Sequence, residues 1–65
     1  MTPAEQTAAG IRSMLEKMNP GQALPSVRSL AEIYGVSAAT VQKALRSLKA
    51  EGLITSRQGW GTFKA

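Results

Sequence analysis

In the stretch Ser37–Gly52, Ala38, Ala39, Gln42, Lys43, Arg46 and Lys49 fall together when the chain is wound as a helix. They carry small, amide and basic groups, with no acid among them. Each type has a use against a polyanion with readable edges. Small side chains let a backbone come close, and alanine methyls can touch a thymine methyl. A glutamine amide can pair with an adenine edge. Lysine and arginine draw phosphate oxygens and release the counterions around them. A solvated helix face would also be polar and charged, and this stretch alone does not decide between the two.

The helix that would present these residues has both ends marked. Ser37 suits the N-cap, since its hydroxyl can accept from an orphan amide in the first turn. Val36 and Val41 flank it as a hydrophobic staple. Gly52 suits the left-handed position after a helix end. Val41, Ala44, Leu45 and Leu48 recur at helical spacing and predict the buried stripe of a helix over 37–51.

The segment before it reads as a shorter helix. Ser26 caps it, Val27, Leu30, Ala31 and Tyr34 share one face, and Gly35 ends it. Gly35-Val36-Ser37 then makes a tight turn. Two helices joined in this way, the second of them basic, match a helix-turn-helix. An ordinary helical hairpin shares the turn chemistry.

At the N-terminal end, Thr2-Pro3-Ala4-Glu5 opens a first helix with a capping box. Ala4, Ala8, Ile11, Leu15 and Met18 line its apolar face, and Asn19-Pro20-Gly21 stops it. Gly10 should weaken it by ~1 kcal/mol relative to alanine. Gln22-Ala23-Leu24 is an extended link, because Pro25 disfavours a helical Leu24.

After Gly52, Leu53–Arg57 and Thr62–Lys64 read as strands around the turn Gln58-Gly59-Trp60-Gly61. A lone hairpin is marginal, so this one must pack on the helices, with Leu53 and Phe63 as the expected inward contacts. The predicted fold is mainly α with a small β-hairpin. It is a winged helix-turn-helix of three helices, with hairpin 53–64 as the wing and 1–65 as a single domain.

Composition removes other classes of function. The 65 residues include no cysteine and no histidine. That excludes Cys/His metal ligation and nucleophilic chemistry by Cys or Ser–His. Glu5, Glu16, Glu32 and Glu51 are scattered singly, so no carboxylate pair forms in sequence. No enzyme activity, cofactor or metal is expected. No apolar run reaches transmembrane length, and no signal pattern opens the chain. A cytoplasmic setting is the expectation. Residues 1–25 balance in charge, so residues 26–65 carry the whole net charge of +4. The pI near 10.2 fits a polyanion partner.

At this point the chain resembles a known group. The matching residues are Leu24-Pro25-Ser26-x-Arg28-x-Leu30-Ala31, Gly35-Val36-Ser37, Thr40-Val41, Ala44-Leu45, Leu48, Glu51-Gly52-Leu53-Ile54 and Gly59-x-Gly61-Thr62-Phe63. Together they are similar to the N-terminal winged-helix domain of the GntR family of bacterial transcription regulators. The resemblance runs from about Ile11 to Phe63.

It implies specific binding to double-stranded operator DNA by a regulator that is usually a repressor and a homodimer on DNA, associated with the bacterial nucleoid when bound. It implies contacts from Arg28 at the start of the second helix. Further contacts would come from Ser37, Ala38, Ala39, Thr40 and Gln42 at the start of the third, and from Gln58 and Gly59 at the wing tip. From the residues themselves, Lys43, Arg46, Lys49 and Arg57 are expected on phosphates, with the helix start at Ser26 adding amide donors.

Family members commonly carry arginine at the positions of Ala38 and Gln42, so base preference does not transfer. Val27 stands where an acid is common, and Trp60 where a basic residue is frequent. Trp60 could meet DNA or lie back on the helices, and packing is the favoured expectation for a large apolar side chain. Family members also carry a C-terminal effector-binding domain that supplies the main dimer interface. The present chain is read as a fragment without it, with any small-molecule response residing there. A different class of reading is a winged helix used as a protein-interaction module, since fold alone does not prove DNA binding.

Overall fold

The computed structural model describes residues 2–65. Three helices lead into a two-stranded antiparallel sheet: α1 Pro3–Glu16, α2 Val27–Tyr34, α3 Ala38–Ala50, β1 Ile54–Arg57 and β2 Gly61–Lys64. The expected winged helix is therefore present. The terminal residues assigned to helix 37–51 from sequence prove to be its caps, with Ser37 before α3 and Glu51 after it.

The caps follow the local chemistry. Thr2 Oγ1 accepts from the Glu5 amide at 3.1 Å and also donates to Glu5 Oε1 at 3.2 Å. Ser26 and Ser37 accept from the amides of Ser29 and Thr40. At the end of α2, Gly35 adopts φ 64°, a left-handed conformation that costs glycine no Cβ clash. The Val36 amide then returns to Ala31 O at 3.0 Å. The end of α3 is closed by Gly52 N to Lys49 O and Leu53 N to Leu48 O, the paired bonds of a Schellman motif.

α1 stops earlier than its apolar spacing implied. Its last turn tightens through Lys17 N to Met14 O and Met18 N to Leu15 O. Met18 lies beyond the helix and only partly buried, and its carbonyl accepts from Lys64 Nζ at 2.6 Å. A cation at this end suits the helix dipole.

α3 is the central element and packs on α1, α2 and β1. Ile11 and Leu15 of α1, Leu30 of α2, Val41, Ala44 and Leu48 of α3, and Ile54 of β1 form the core with Ala8 and Leu24. Burying each valine, leucine or isoleucine side chain among them contributes ~1.5–3 kcal/mol. Thr7 is also buried, and its hydroxyl is satisfied by donating to Pro3 O at 2.8 Å.

Gly10 has a packing role that its helix propensity hides. A Cβ there would stand 2.6 Å from Cε1 of Tyr34, so the bare backbone lets the α2 ring lie directly on α1.

Two details of the sheet differ from expectation. The inward residue of the wing is Ile54, 3% exposed, whereas Leu53 packs at the core margin and Phe63 is half-buried. Ile54 pairs with Lys64 and Thr55 with Phe63, so Phe63 lies on the opposite face from Ile54. The extended link also does more than connect. Ala23 bridges Phe63, Leu24 N donates to Thr62 O at 2.8 Å, and Lys64 N donates to Gln22 O at 2.9 Å. The outer edge of β2 is thereby covered.

Candidate nucleic-acid interface

The buried stripe of α3 fixes what the rest of the helix presents. With Val41, Ala44 and Leu48 in the core, Ala38, Ala39, Gln42, Lys43, Arg46 and Lys49 are all exposed. They divide into two sides. Gln42, Arg46 and Lys49 border an open groove against the wing, which supplies Ser56 and Thr62. Lys43 borders a different groove, shared with Arg12 and the first turns of α1. The structure thus separates Lys43 from the cations with which it is grouped in sequence.

Lys49 is held in place. Its Nζ donates to Ser56 Oγ at 2.7 Å, tying the last turn of α3 to β1. Arg46 reaches no acid among the described residues. Glu51, the acid closest to it in sequence, is engaged on the α1 side by Arg12 Nη2 at 2.7 Å. Among the described residues, the cationic side chains of the last turns of α3 are therefore left without a neutralising acid on the wing side.

Ser37 and Thr40 have hydroxyls 3.0 Å apart and serve first as the cap of α3. Ser26 plays the same part for α2, donating to Ser29 Oγ at 3.0 Å. These hydroxyls act by orienting the helix starts. Arg28 stands in the first turn of α2 with 91% of its side chain exposed, and its Nε is 3.7 Å from Glu32 Oε1. An exposed pair at that distance contributes ~0–1 kcal/mol, so Glu32 can release Arg28 at little cost.

At the wing, Trp60 N donates to Arg57 O at 3.0 Å and closes the turn through Gln58 and Gly59. The Arg57 guanidinium lies 6.0 Å from the Phe63 ring centre, over the face turned away from α3. Trp60 corrects an expectation. It is 79% exposed and does not lie back on the helices. The turn puts its side chain beyond the reach of the core, and Ile54 already fills the contact between wing and helix. Ser56 and Thr62 are groove residues that sequence reasoning missed. Small hydroxyl residues in a strand carry no signal of their own until register and packing place them.

The fold and this face define a winged helix-turn-helix domain. The family model "Bacterial regulatory proteins, gntR family" matches residues 3–63, and the chain belongs to that family. The HTH-type transcriptional regulator Mce2R of Mycobacterium tuberculosis is 49% identical over 55 residues, which cover 85% of this chain and 22% of Mce2R. LutR of Bacillus subtilis is 47% identical over 47 residues, covering 72% of this chain and 22% of LutR. The chain thus spans about a fifth of the length of these curated relatives.

Among solved structures, the AraR DNA-binding domain in complex with operator ORX1 superposes with a TM-score of 0.93 at 36% identity, covering 100% of this chain and 81% of that one. PhnF from Mycobacterium smegmatis gives 0.84 at 36% identity, covering 91% of this chain and 26% of PhnF. No helix among the described residues is long and apolar enough to cross a membrane.

Proposed function

We propose that this chain is the sequence-specific, double-stranded DNA-binding domain of a bacterial transcription regulator. The observation that carries the reading is the outward face of α3. Ala39, Gln42 and Arg46 stand exposed on it, and no acid lies among them. α3 enters the major groove, where Ala38 and Ala39 permit close approach and Gln42 reads a base edge. Lys43, Arg46, Lys49 and Arg57 meet phosphates, while Arg28 reaches the duplex from α2. Gln58, Gly59 and Trp60 bring the wing tip to the adjacent minor groove. The AraR domain seen on its operators supports this reading by its near-identical backbone.

The whole regulator acts as a homodimer on a two-fold operator, with half-sites about 34–36 Å or a multiple apart. It works in the bacterial cytoplasm and represses by occluding a promoter. Effector binding belongs to a separate C-terminal domain of the intact protein.

The test is selection of bound duplexes from a random pool with the 65-residue chain. Recovery of one consensus half-site, bound with an affinity that falls steeply with salt, is the expected result. Sequences without a consensus, or binding insensitive to salt, would defeat the reading.

One observation favours a protein partner instead. Trp60 and Ile33 are exposed, and aromatic residues are enriched at protein interfaces. The cations Arg46 and Lys49 beside the wing weigh against it, because lysine is depleted there. A partner reading predicts that Trp60→Ala abolishes capture of that protein while duplex binding stays negligible.

A further inference from the structure

Between α3 and the wing runs an open groove of about 250 Å³. Arg46, Lys49 and Gln42 border it from the helix, and Ser56 and Thr62 from the hairpin. Its floor is apolar, made by Leu45 and Ile54. We infer that this groove seats a single phosphodiester of the DNA strand that separates the two grooves read by the protein. Arg46 and Lys49 supply the charge, and the Ser56 and Thr62 hydroxyls donate hydrogen bonds. The inference rests on the DNA-binding reading above and names a site within it.

The topology comes first. With α3 in a major groove and the hairpin tip in the adjoining minor groove, what lies between them is one sugar–phosphate strand, because that strand is the wall between the grooves. The space between α3 and the hairpin is this groove. Its occupant is therefore backbone and not base.

The lining chemistry agrees. Two cations, one amide and two hydroxyls surround the opening, and no carboxylate among the described residues borders it. The hydroxyls are placed by register. Ser56 pairs directly with Thr62, so both side chains leave the same face of the hairpin, the face that carries Ile54 toward α3. The groove is also preorganised. Lys49 Nζ donates to Ser56 Oγ at 2.7 Å, which holds the ammonium at the rim. An ammonium has three donors, so the bond to Ser56 leaves two for phosphate oxygens. A hydroxyl both donates and accepts, so Ser56 can keep Lys49 and still donate to the same phosphate.

Residue roles follow that charge and salt separate. Arg46 and Lys49 release counterions on binding, and because they share one phosphate they account together for ~0.9 of the slope of log affinity against log salt. Ser56 and Thr62 release none. Their loss lowers affinity for every duplex and leaves the slope alone.

The experiment uses the 65-residue chain and a duplex selected from a random pool, with each phosphate in turn replaced by a neutral methylphosphonate. The unchanged chain should lose affinity at one backbone position facing the groove. The double variant Ser56→Ala/Thr62→Val should bind the unmodified duplex at least ~10-fold more weakly, as expected when hydrogen bonds to a charged group are lost. At that backbone position it should lose much less on neutralisation than the unchanged chain does. Thr62→Ser keeps a hydroxyl and should restore most of the affinity. Thermal melting of each variant separates lost contacts from lost folding.

Equal losses for both proteins at every backbone position would overturn the inference, as would unaltered binding by the double variant. In either case duplex binding by the unchanged chain leaves the proposed function standing. Failure of the unchanged chain to bind any duplex would overturn both.

Discussion

Gly10 and Tyr34 are in direct contact across the α1–α2 interface, and the fit depends on the absence of a side chain on Gly10. A Cβ would lie 2.6 Å from Cε1 of the ring and 3.1 Å from Cζ. Those distances are well inside ordinary contact, so the ring or the helix must move to admit a methyl. A glycine that looks like a weakness of α1 is what allows α2 to dock.

Gly10→Ala should therefore destabilise the domain. Helix propensity favours alanine by ~1 kcal/mol, while overpacking costs ~1–3 kcal/mol, so the net loss expected is up to ~2 kcal/mol. In a Tyr34→Ala background the same change should stabilise, because only the propensity term remains. Urea denaturation of the four proteins completes the cycle. A rise in stability from Gly10→Ala alone would show that the ring adapts freely.

Gln42→Ala should alter sequence preference. Gln42 is exposed on α3 beside Ala38 and Ala39, where close approach to base edges is open. Loss of a bidentate contact costs ~1–3 kcal/mol at one base position. Binding to a panel of single-base variants of the selected site checks this. Uniform weakening on all duplexes, random ones included, would rule out base reading by Gln42.

Arg46→Ala should weaken binding to specific and random duplexes alike and flatten the salt slope by up to about one unit. Arg12 provides the contrast, being paired with Glu51 at 2.7 Å on the α1 side. Arg12→Ala should leave the slope unchanged and cost under ~1 kcal/mol of stability, as exposed pairs do. Titrations at several salt concentrations distinguish the two. Equal slopes for Arg46→Ala and the unchanged chain would reduce Arg46 to a solvated side chain.

Trp60 should report binding directly, because the chain has one tryptophan and it stands 79% exposed. Adding duplex should shift its emission and protect it from acrylamide. Trp60→Ala should change folding stability by less than ~0.5 kcal/mol, as at an exposed site, yet lower affinity about tenfold through lost apolar contact. Unchanged emission and quenching on a duplex that does bind would place the wing tip away from DNA.

The helices were legible in the sequence because their determinants are local. Ser26 and Ser37 announce N-caps, Gly35 and Gly52 announce ends, and the spacing of Val41, Ala44 and Leu48 marks the buried stripe of α3. Each signal acts within a few residues of itself. The outward face of α3 followed by subtraction.

What the sequence left undetermined depends on contacts between distant residues. Nothing local says that Ile54 and not Phe63 turns inward, because a one-residue shift exchanges the two faces of a strand. Nothing local assigns Ala23 and Leu24 to the free edge of β2, places Tyr34 over Gly10, or leaves Trp60 outside the core. The groove is the clearest case. Lys49 belongs to α3 and Ser56 and Thr62 to the wing, and only the packing of Ile54 against α3 brings them together. The sequence determined which helix could meet DNA. The tertiary structure decided which side chains from separate elements share one site, since that choice is made by core packing across the chain.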